Sequence, residues 1–158
     1  PALTAALDGL AAMRCQEGAA LVEALRRRLD EIEEVLGAVL GRTADLVTTH
    51  RTRLRERVAD LLDGRLPDPL RLEQEVALLA ERGDVAEECD RLRSHLQQFR
   101  DTLGQAGPQG RRLDFLLQEM NREANTIGSK AADAGLARDV VELKTAIERL
   151  REQVQNLE

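Results

Sequence analysis

The sequence contains no tryptophan and no tyrosine, and only Phe99 and Phe115 carry aromatic rings among its 158 residues. Leucine, alanine and valine must fill any interior, and those residues suit helices packed on helices. The same scarcity removes the usual platforms on which single-stranded nucleic acids stack, so base stacking is not expected. Cysteine is sparse too. Cys15 and Cys89 lack metal-ligand spacing and are expected to be buried or free thiols in a reducing compartment. No run of about 18 apolar residues exists, which excludes a membrane-spanning helix and, with it, a membrane partner. There is no HExxH, paired CxxC, P-loop or GxGxxG, and nothing anchors a Ser-His-Asp triad. Basic charge is not in excess: 23 Lys and Arg face 29 Asp and Glu, for a net charge of −6 and a pI near 5.1. The strongly basic footprint of many nucleic-acid binders is therefore missing, although local basic clusters can sit inside an acidic whole. The chain opens Pro1-Ala2-Leu3 with neither an initiator Met nor a signal-peptide pattern, and is expected to be a cytoplasmic piece of something longer.

What is present is helical periodicity almost from end to end, and no alternating strand segment competes with it. Leu21, Leu25, Leu29, Ile32, Leu36 and Val39 step by threes and fours, predicting a helix from Leu7 to Leu40 that reaches roughly 50 Å. Gly41 is its expected stop. A second helix follows from about Ala44 to Leu62, with Val47, Leu54, Val58 and Leu61 on one stripe and Asp63-Gly64 ending it. Leu66-Pro67-Asp68-Pro69 predicts a turn, with Asp68 capping and Pro69 in the first helical position. The third helix, with Leu72, Val76 and Leu79 inward, runs to about Arg82. Asp84 can then cap a fourth, carrying Val85, Cys89, Leu92, Leu96, Phe99 and Leu103. Gly104-Gln105-Ala106-Gly107-Pro108-Gln109-Gly110 cannot hold a helix and is the clearest loop. A fifth helix covers about Arg111 to Thr126 and is interrupted at Gly128-Ser129. The last carries Leu136, Val140, Leu143, Ile147, Leu150, Val154 and Leu157, an unbroken heptad seam suited to a hairpin or a coiled coil between subunits. The expectation is an all-α, oligomerising bundle of about six long helices with antiparallel hairpins. It divides into a helical hairpin over 1–64, central polar-site helices over 65–130 and a heptad helix over 131–158.

Charges interrupt this pattern in informative places. Followed backward from Leu21, the first seam passes Glu17 and Arg14 before Leu10 and Leu7. Buried charges need partners, so Arg14 and Glu17 are expected to be an ion pair at a helix or subunit contact, or a phosphate or carboxylate contact. His50, between Val47 and Leu54, reads as a packing histidine. In the central region Glu75 neighbours the Leu72–Val76–Leu79 face. Glu88, Leu92 and His95 share a side of the fourth helix, with Arg91 between them. In the fifth, Glu119 and Glu123 lie one turn apart beside Arg122, and Asn121, Asn125, Thr126, Ser129 and Lys130 add polar groups. Two helices joined by a glycine-rich loop can thus bring an imidazole and several carboxylates together. Such spacing most often makes solvated ion-pair faces. It also suits phosphodiester hydrolysis: carboxylates can hold Mg²⁺ or Mn²⁺, the ion activates water, arginine or lysine clamps phosphate oxygens, and histidine ligates or moves a proton.

The residues themselves carry a resemblance. Gly110-Arg111-Arg112-Leu113-Asp114-Phe115-Leu116-Leu117-Gln118-Glu119-Met120-Asn121-Arg122-Glu123-Ala124-Asn125-Thr126, followed by Ser129-Lys130, resembles the signature stretch of YicC-like proteins. Glu73-Gln74-Glu75-Val76-Ala77, Asp84 with Glu87-Glu88, and Arg91-Leu92-Arg93-Ser94-His95 resemble the same family, as do Met13-Arg14, Glu17-Gly18, Val141-Glu142-Leu143-Lys144 and Arg151-Glu152-Gln153-Val154-Gln155-Asn156. The match covers nearly the whole chain and is strongest from Glu73 to Lys130. It implies a bacterial, metal-dependent endoribonuclease forming a ring-like homohexamer, of which this chain is the helical C-terminal half and lacks the N-terminal half. It further implies that Glu75, Glu88, His95, Glu119 and Glu123 are metal ligands (Mn²⁺ or Mg²⁺), with His95, Glu119 and Glu123 catalytic. Arg91, Arg111, Arg122 and Lys130 become RNA phosphate contacts, and Arg14, Glu17, Asn121, Asn125 and Ser129 polar support. The alternative is a non-catalytic helical module for oligomerisation or for gripping RNA or protein.

Overall fold

The computed structural model describes residues 2–61, 68–105, 107–131 and 133–155. They form five α-helices: α1 (Ala2–Leu61), α2 (Pro69–Arg82), α3 (Ala86–Leu103), α4 (Gly110–Lys130) and α5 (Ala134–Val154). No strand occurs among the described residues. The fold is all-α, as the periodicity predicts, with one helix fewer than expected at its start.

That difference lies at Gly41. Instead of a hairpin of two helices, α1 runs unbroken for 60 residues, a rod of about 90 Å. An interior glycine costs a helix only about 0.5–1 kcal/mol, and here both flanks are held. Leu36 and Val39 before Gly41 are fully buried, and Arg42 after it pairs with Asp139 of α5. Gly128 likewise fails to interrupt α4. A Cβ there would stand 3.1 Å from Val140 Cγ1, so glycine at this position admits the close approach of α5. The stop at Asp63-Gly64, the turn residues Leu66-Pro67 and the seam residue Leu157 lie outside the described residues, as do the side chains of Val47 and Leu79.

The other boundaries follow local chemistry. Asp68 Oδ1 accepts a hydrogen bond from Leu70 N at 3.0 Å and Asp84 Oδ1 one from Ala86 N at 2.9 Å. Asp133 caps α5, accepting from Gly135 N and Leu136 N. These side chains satisfy orphan amides at helix starts.

Four helices make the bundle. Leu25, Leu29, Ile32, Leu36 and Val39 of α1 join Leu92, Leu96 and Phe99 of α3, Leu113, Leu117, Met120 and Ile127 of α4, and the α5 seam from Leu136 to Val154 in one core. The heptad seam is therefore consumed inside the chain. Ion pairs fix the directions. Arg42–Asp139 places the start of α5 beside the middle of α1. Arg100 reaches Asp30 and Glu33 at 2.7 Å each, so the end of α3 lies lower on the same rod. Hence α1 and α4 run one way, α3 and α5 the other. α1 overshoots at both ends. Its later part carries α2, tied by Arg51–Glu73 and by the buried Leu72 and Val76, and His50 there is half-buried. Its leading part is bare: every residue from Ala2 to Glu17 is exposed. Arg14 and Glu17 thus do not sit on a seam buried within this chain, because the neighbours that would cover them begin only near Leu25.

The two cysteines differ by burial. Cys89 is fully buried in the core and Cys15 exposed, both as free thiols. Burial pushes the Cys89 thiol up to about 11, and the thiolate is the reactive form. At pH 8 a disulfide reagent such as dithionitrobenzoate is expected to titrate one thiol per native chain and a second only after unfolding. Two rapidly reacting thiols in the native protein would contradict the burial of Cys89.

Candidate active site

The polar residues singled out on α3 and α4 meet along one antiparallel seam. The glycine-rich loop turns the chain back, with Gly107 at φ +95°, a conformation open to glycine at little cost. Apolar residues fix the rotational phase of both helices. Cys89, Leu92, Leu96 and Phe99 on α3 face Leu113, Leu116, Met120 and Ala124 on α4. What remains at the edge of this contact is acidic, basic and imidazole.

Where the start of α3 meets the C-terminus of α4, Lys130 Nζ donates to both oxygens of Glu88, at 3.1 and 3.2 Å, and to the carbonyl of Asp84 at 2.8 Å. All three ammonium protons have partners inside the protein. One turn further along, Arg91 forms a fork. Nε meets Glu123 Oε2 at 3.0 Å, Nη2 meets Glu88 Oε1 at 3.1 Å, and Nη1 reaches Glu87 at 3.4 Å. Glu88 and Glu123 are the buried acids, 5% and 6% exposed, whereas the Arg91 side chain keeps 46% of its surface in solvent. This is the arrangement buried carboxylates require, since an unpaired one costs several kcal/mol. One turn higher on α3 and lower on α4, the register set by 88 with 130 and 91 with 123 puts His95 level with Glu119. His95 is half-buried, and its Nδ1 is buried without a hydrogen-bond partner among the described residues. Glu119 is partly exposed, and its ion pair among the described residues is with Arg122, at 3.6 Å.

Burial pushes the Glu88 carboxyl upward, but its backbone hydrogen bond, Lys130 and Arg91 outweigh it, and the group ends below the ordinary carboxylate value. A lowered acid contributes stability that is present above the unfolded carboxylate range and lost as pH falls through the folded value. Below pH 4 the native protein is therefore expected to lose stability through Glu88, and Lys130→Met should flatten that part of the profile. Urea midpoints measured from pH 6 to pH 3 check this. Parallel profiles for the two proteins would exclude the linkage.

The candidate residues thus separate into groups. Glu88, Arg91, His95, Glu119, Glu123 and Lys130 come together along the seam. Glu75 does not: it is exposed on α2, which packs chiefly on the far part of α1. Arg111 is exposed in the first turn of α4, at the loop end and away from the acids, and Arg122 is exposed beside Glu119. Asn121 is half-buried, Asn125 is exposed, and Ser129 hydrogen-bonds the carbonyl of Thr126 at 2.8 Å. Lys130, expected at an RNA phosphate, instead ties the C-terminus of α4 to the start of α3. Its acceptor at Asp84 is a backbone carbonyl, which no side-chain pattern announces.

Among the described residues, no three His, Cys, Asp or Glu side chains converge as an ion cage requires. The reason is visible in the pairs above: Glu88 and Glu123 point their oxygens at Arg91 and Lys130. The five-residue ligand set of Glu75, Glu88, His95, Glu119 and Glu123 does not assemble within this chain. Of the members on the α3–α4 seam, His95 and Glu119 are held least: the His95 nitrogen lacks a partner among the described residues, and Glu119 makes only a long contact to Arg122.

Comparison with known proteins adds a family to this geometry. The family described as "Endoribonuclease YicC-like, C-terminal" matches residues 39–158. The chain is 43% identical over 152 residues to the "Probable endoribonuclease YicC" of Haemophilus influenzae (strain ATCC 51907 / DSM 11121 / KW20 / Rd), covering 96% of this chain and 52% of that protein. It is 40% identical over 154 residues to the protein of the same description from Clostridioides difficile (strain 630), covering 97% and 53%. The chain spans about half the length of the curated relatives it matches.

Proposed function

This chain belongs to the YicC-like endoribonuclease family, and we propose on that footing that the full-length protein hydrolyses RNA phosphodiesters with the α3–α4 seam contributing to its active site. The observation that carries the reading is the coincidence, along one seam, of an imidazole with an unpartnered buried nitrogen and a half-exposed arginine held by two buried acids. In this reading Glu88, Glu123 and Lys130 hold Arg91 in place. The solvent-facing side of Arg91 then contacts a non-bridging phosphate oxygen. Water attacks phosphorus in line, the bond to the leaving oxygen breaks, and His95 carries a proton on or off the reacting oxygens. Glu119 orients the water or the imidazole.

The proposal includes Mn²⁺ or Mg²⁺, which would neutralise phosphate charge and activate water. Since the seam alone does not form a cage, His95 and Glu119 would need further ligands from outside this chain. The relatives' greater length and a homo-oligomer of the full protein are both possible sources within the proposal. RNA is the substrate, and the cytoplasm the compartment. No described helix is long and apolar enough to cross a membrane.

One observation favours a second reading, a non-catalytic module for oligomerisation or partner binding: the two most buried acids are neutralised by structural ion pairs. A defined oligoribonucleotide incubated with the full-length protein separates the two. The expected result is cleavage that stops in EDTA and returns with Mn²⁺. Undiminished cleavage in EDTA would remove the metal from the proposal. Stable RNA binding without cleavage under any divalent ion would favour the module.

A further inference from the structure

The outer face of α4 carries a feature that neither the charged seam nor the core explains. Arg111, Phe115, Gln118, Arg122, Asn125 and Ser129 recur at spacings of four, three, four, three and four, so they align in one stripe about 27 Å long. All six are exposed. The helix phase is fixed by the buried Leu113, Leu116, Leu117, Met120, Ala124 and Ile127 on the opposite side, so the stripe's outward direction is set by the core.

Its composition is unusual for this chain. Acids outnumber bases overall, 29 to 23, yet the stripe holds two arginines and no acid. Phe115 is 58% exposed, while the only other aromatic, Phe99, is fully buried. A phenylalanine left in water forgoes burial that stabilises other core side chains. Here it stands between two arginines, one turn above and two turns below, with amides between and beyond. Arg122 is 74% exposed, and among the described residues its ion pair is the loose contact to Glu119.

We propose that this stripe is the surface that receives an unpaired segment of RNA, with one base stacked on Phe115 and flanking phosphates at Arg111 and Arg122. The proposal rests on the endoribonuclease reading and names the part of the protein that holds its substrate. A flat apolar ring supplies a stacking face for any base. Guanidinium groups supply phosphate contacts, and Gln118 and Asn125 offer both donors and acceptors to base edges. Charge complementarity selects a polyanion over a second copy of this acidic chain, and a single apolar residue in a polar row is a poor centre for a protein interface. Glu119 and Glu123 lie on the adjacent face of α4, so a strand following the stripe passes beside the seam that holds His95.

The test uses the full-length protein and a fluorescein-labelled, single-stranded oligoribonucleotide of twelve nucleotides, read by anisotropy at fixed salt. Phe115→Ala and Phe115→Leu are expected to weaken binding about tenfold, and Phe115→Trp to preserve it. Arg111→Gln and Arg122→Gln should each lower the slope of log affinity against log salt by about 0.7. Quenching of a 2-aminopurine base in the strand should disappear in Phe115→Leu. All three positions are exposed, so thermal unfolding should be unchanged and confirms that each variant is folded. The proposal is overturned if Phe115→Ala and Phe115→Leu bind as tightly as the parent. It is equally overturned if Phe115→Ala changes the sedimentation of the RNA-free protein while RNA affinity stays constant, which would make the stripe a contact between copies. A parent protein that binds no RNA sinks the endoribonuclease reading along with it, whereas tight binding indifferent to Phe115 sinks this inference alone.

Discussion

Exchange of His95 for alanine in the full-length protein is expected to slow RNA cleavage by about 10²- to 10⁴-fold, the range of a lost proton-transfer group. The argument starts from an oddity of burial. A buried ring nitrogen with no partner is uncommon, because the desolvated group forfeits a hydrogen bond. Such groups persist where something else compensates, and a bound substrate or ion would complete Nδ1 here. The two nitrogens can be separated by replacement. The amide of asparagine falls near the position of Nδ1, that of glutamine near Nε2. If Nδ1 meets the substrate or ion, His95→Asn should retain more single-turnover rate than His95→Gln. Circular dichroism and sedimentation should stay those of the parent. An unchanged cleavage rate in His95→Ala would remove the imidazole from the chemistry, whatever the fate of the surrounding acids.

The second large effect is on stability. Arg91→Met is expected to lower the urea midpoint of the native chain at pH 7 well beyond measurement error. Breaking a buried ion pair from one side costs roughly 3–5 kcal/mol because a charge is stranded. Two features make the loss smaller here. Arg91 is half exposed, so water already screens it. Glu88 also keeps Lys130 when Arg91 is gone. Glu123 has no such reserve, and most of the cost falls on it. Pairing the change with Glu123→Leu should therefore recover much of the loss, since removing both charges leaves no stranded acid. Simple addition of the two single effects would show that Arg91 and Glu123 do not act as a pair.

Much of this architecture is readable in the residues. Apolar spacing located α3, α4 and α5 and their buried sides, because one face of each is claimed by a single core. Asp68 and Asp84 announced helix starts, and the stretch from Gly104 to Gly110 announced the loop. The misreadings share a cause. Gly41 and Gly128 look like breaks when considered alone, yet partners on both flanks outweigh the local preference, and at Gly128 the small residue exists for a neighbouring helix. Arg14 and Glu17 continue a stripe whose covering partners do not extend that far. The site was legible as two sets of charges with the right spacing. Which charge meets which depends on the register between α3 and α4, and periodicity within one helix carries no information about that. For this reason the spacing alone does not show that Glu75 lies apart from the acids of the seam, or that Lys130 meets Glu88. Phe115 could have been found: it falls out of phase with the core positions around it, and in so aromatic-poor a chain that is a signal.

The unbroken passage of α1 through Gly41 has a mechanical corollary. Without a joint in the middle, the bare leading tip and the tail that carries α2 cannot pivot independently; they behave as the two arms of one lever whose fulcrum is the bundle. The helices clasping the fulcrum include α5, tied to the rod by Arg42, and α3, tied to it by Arg100.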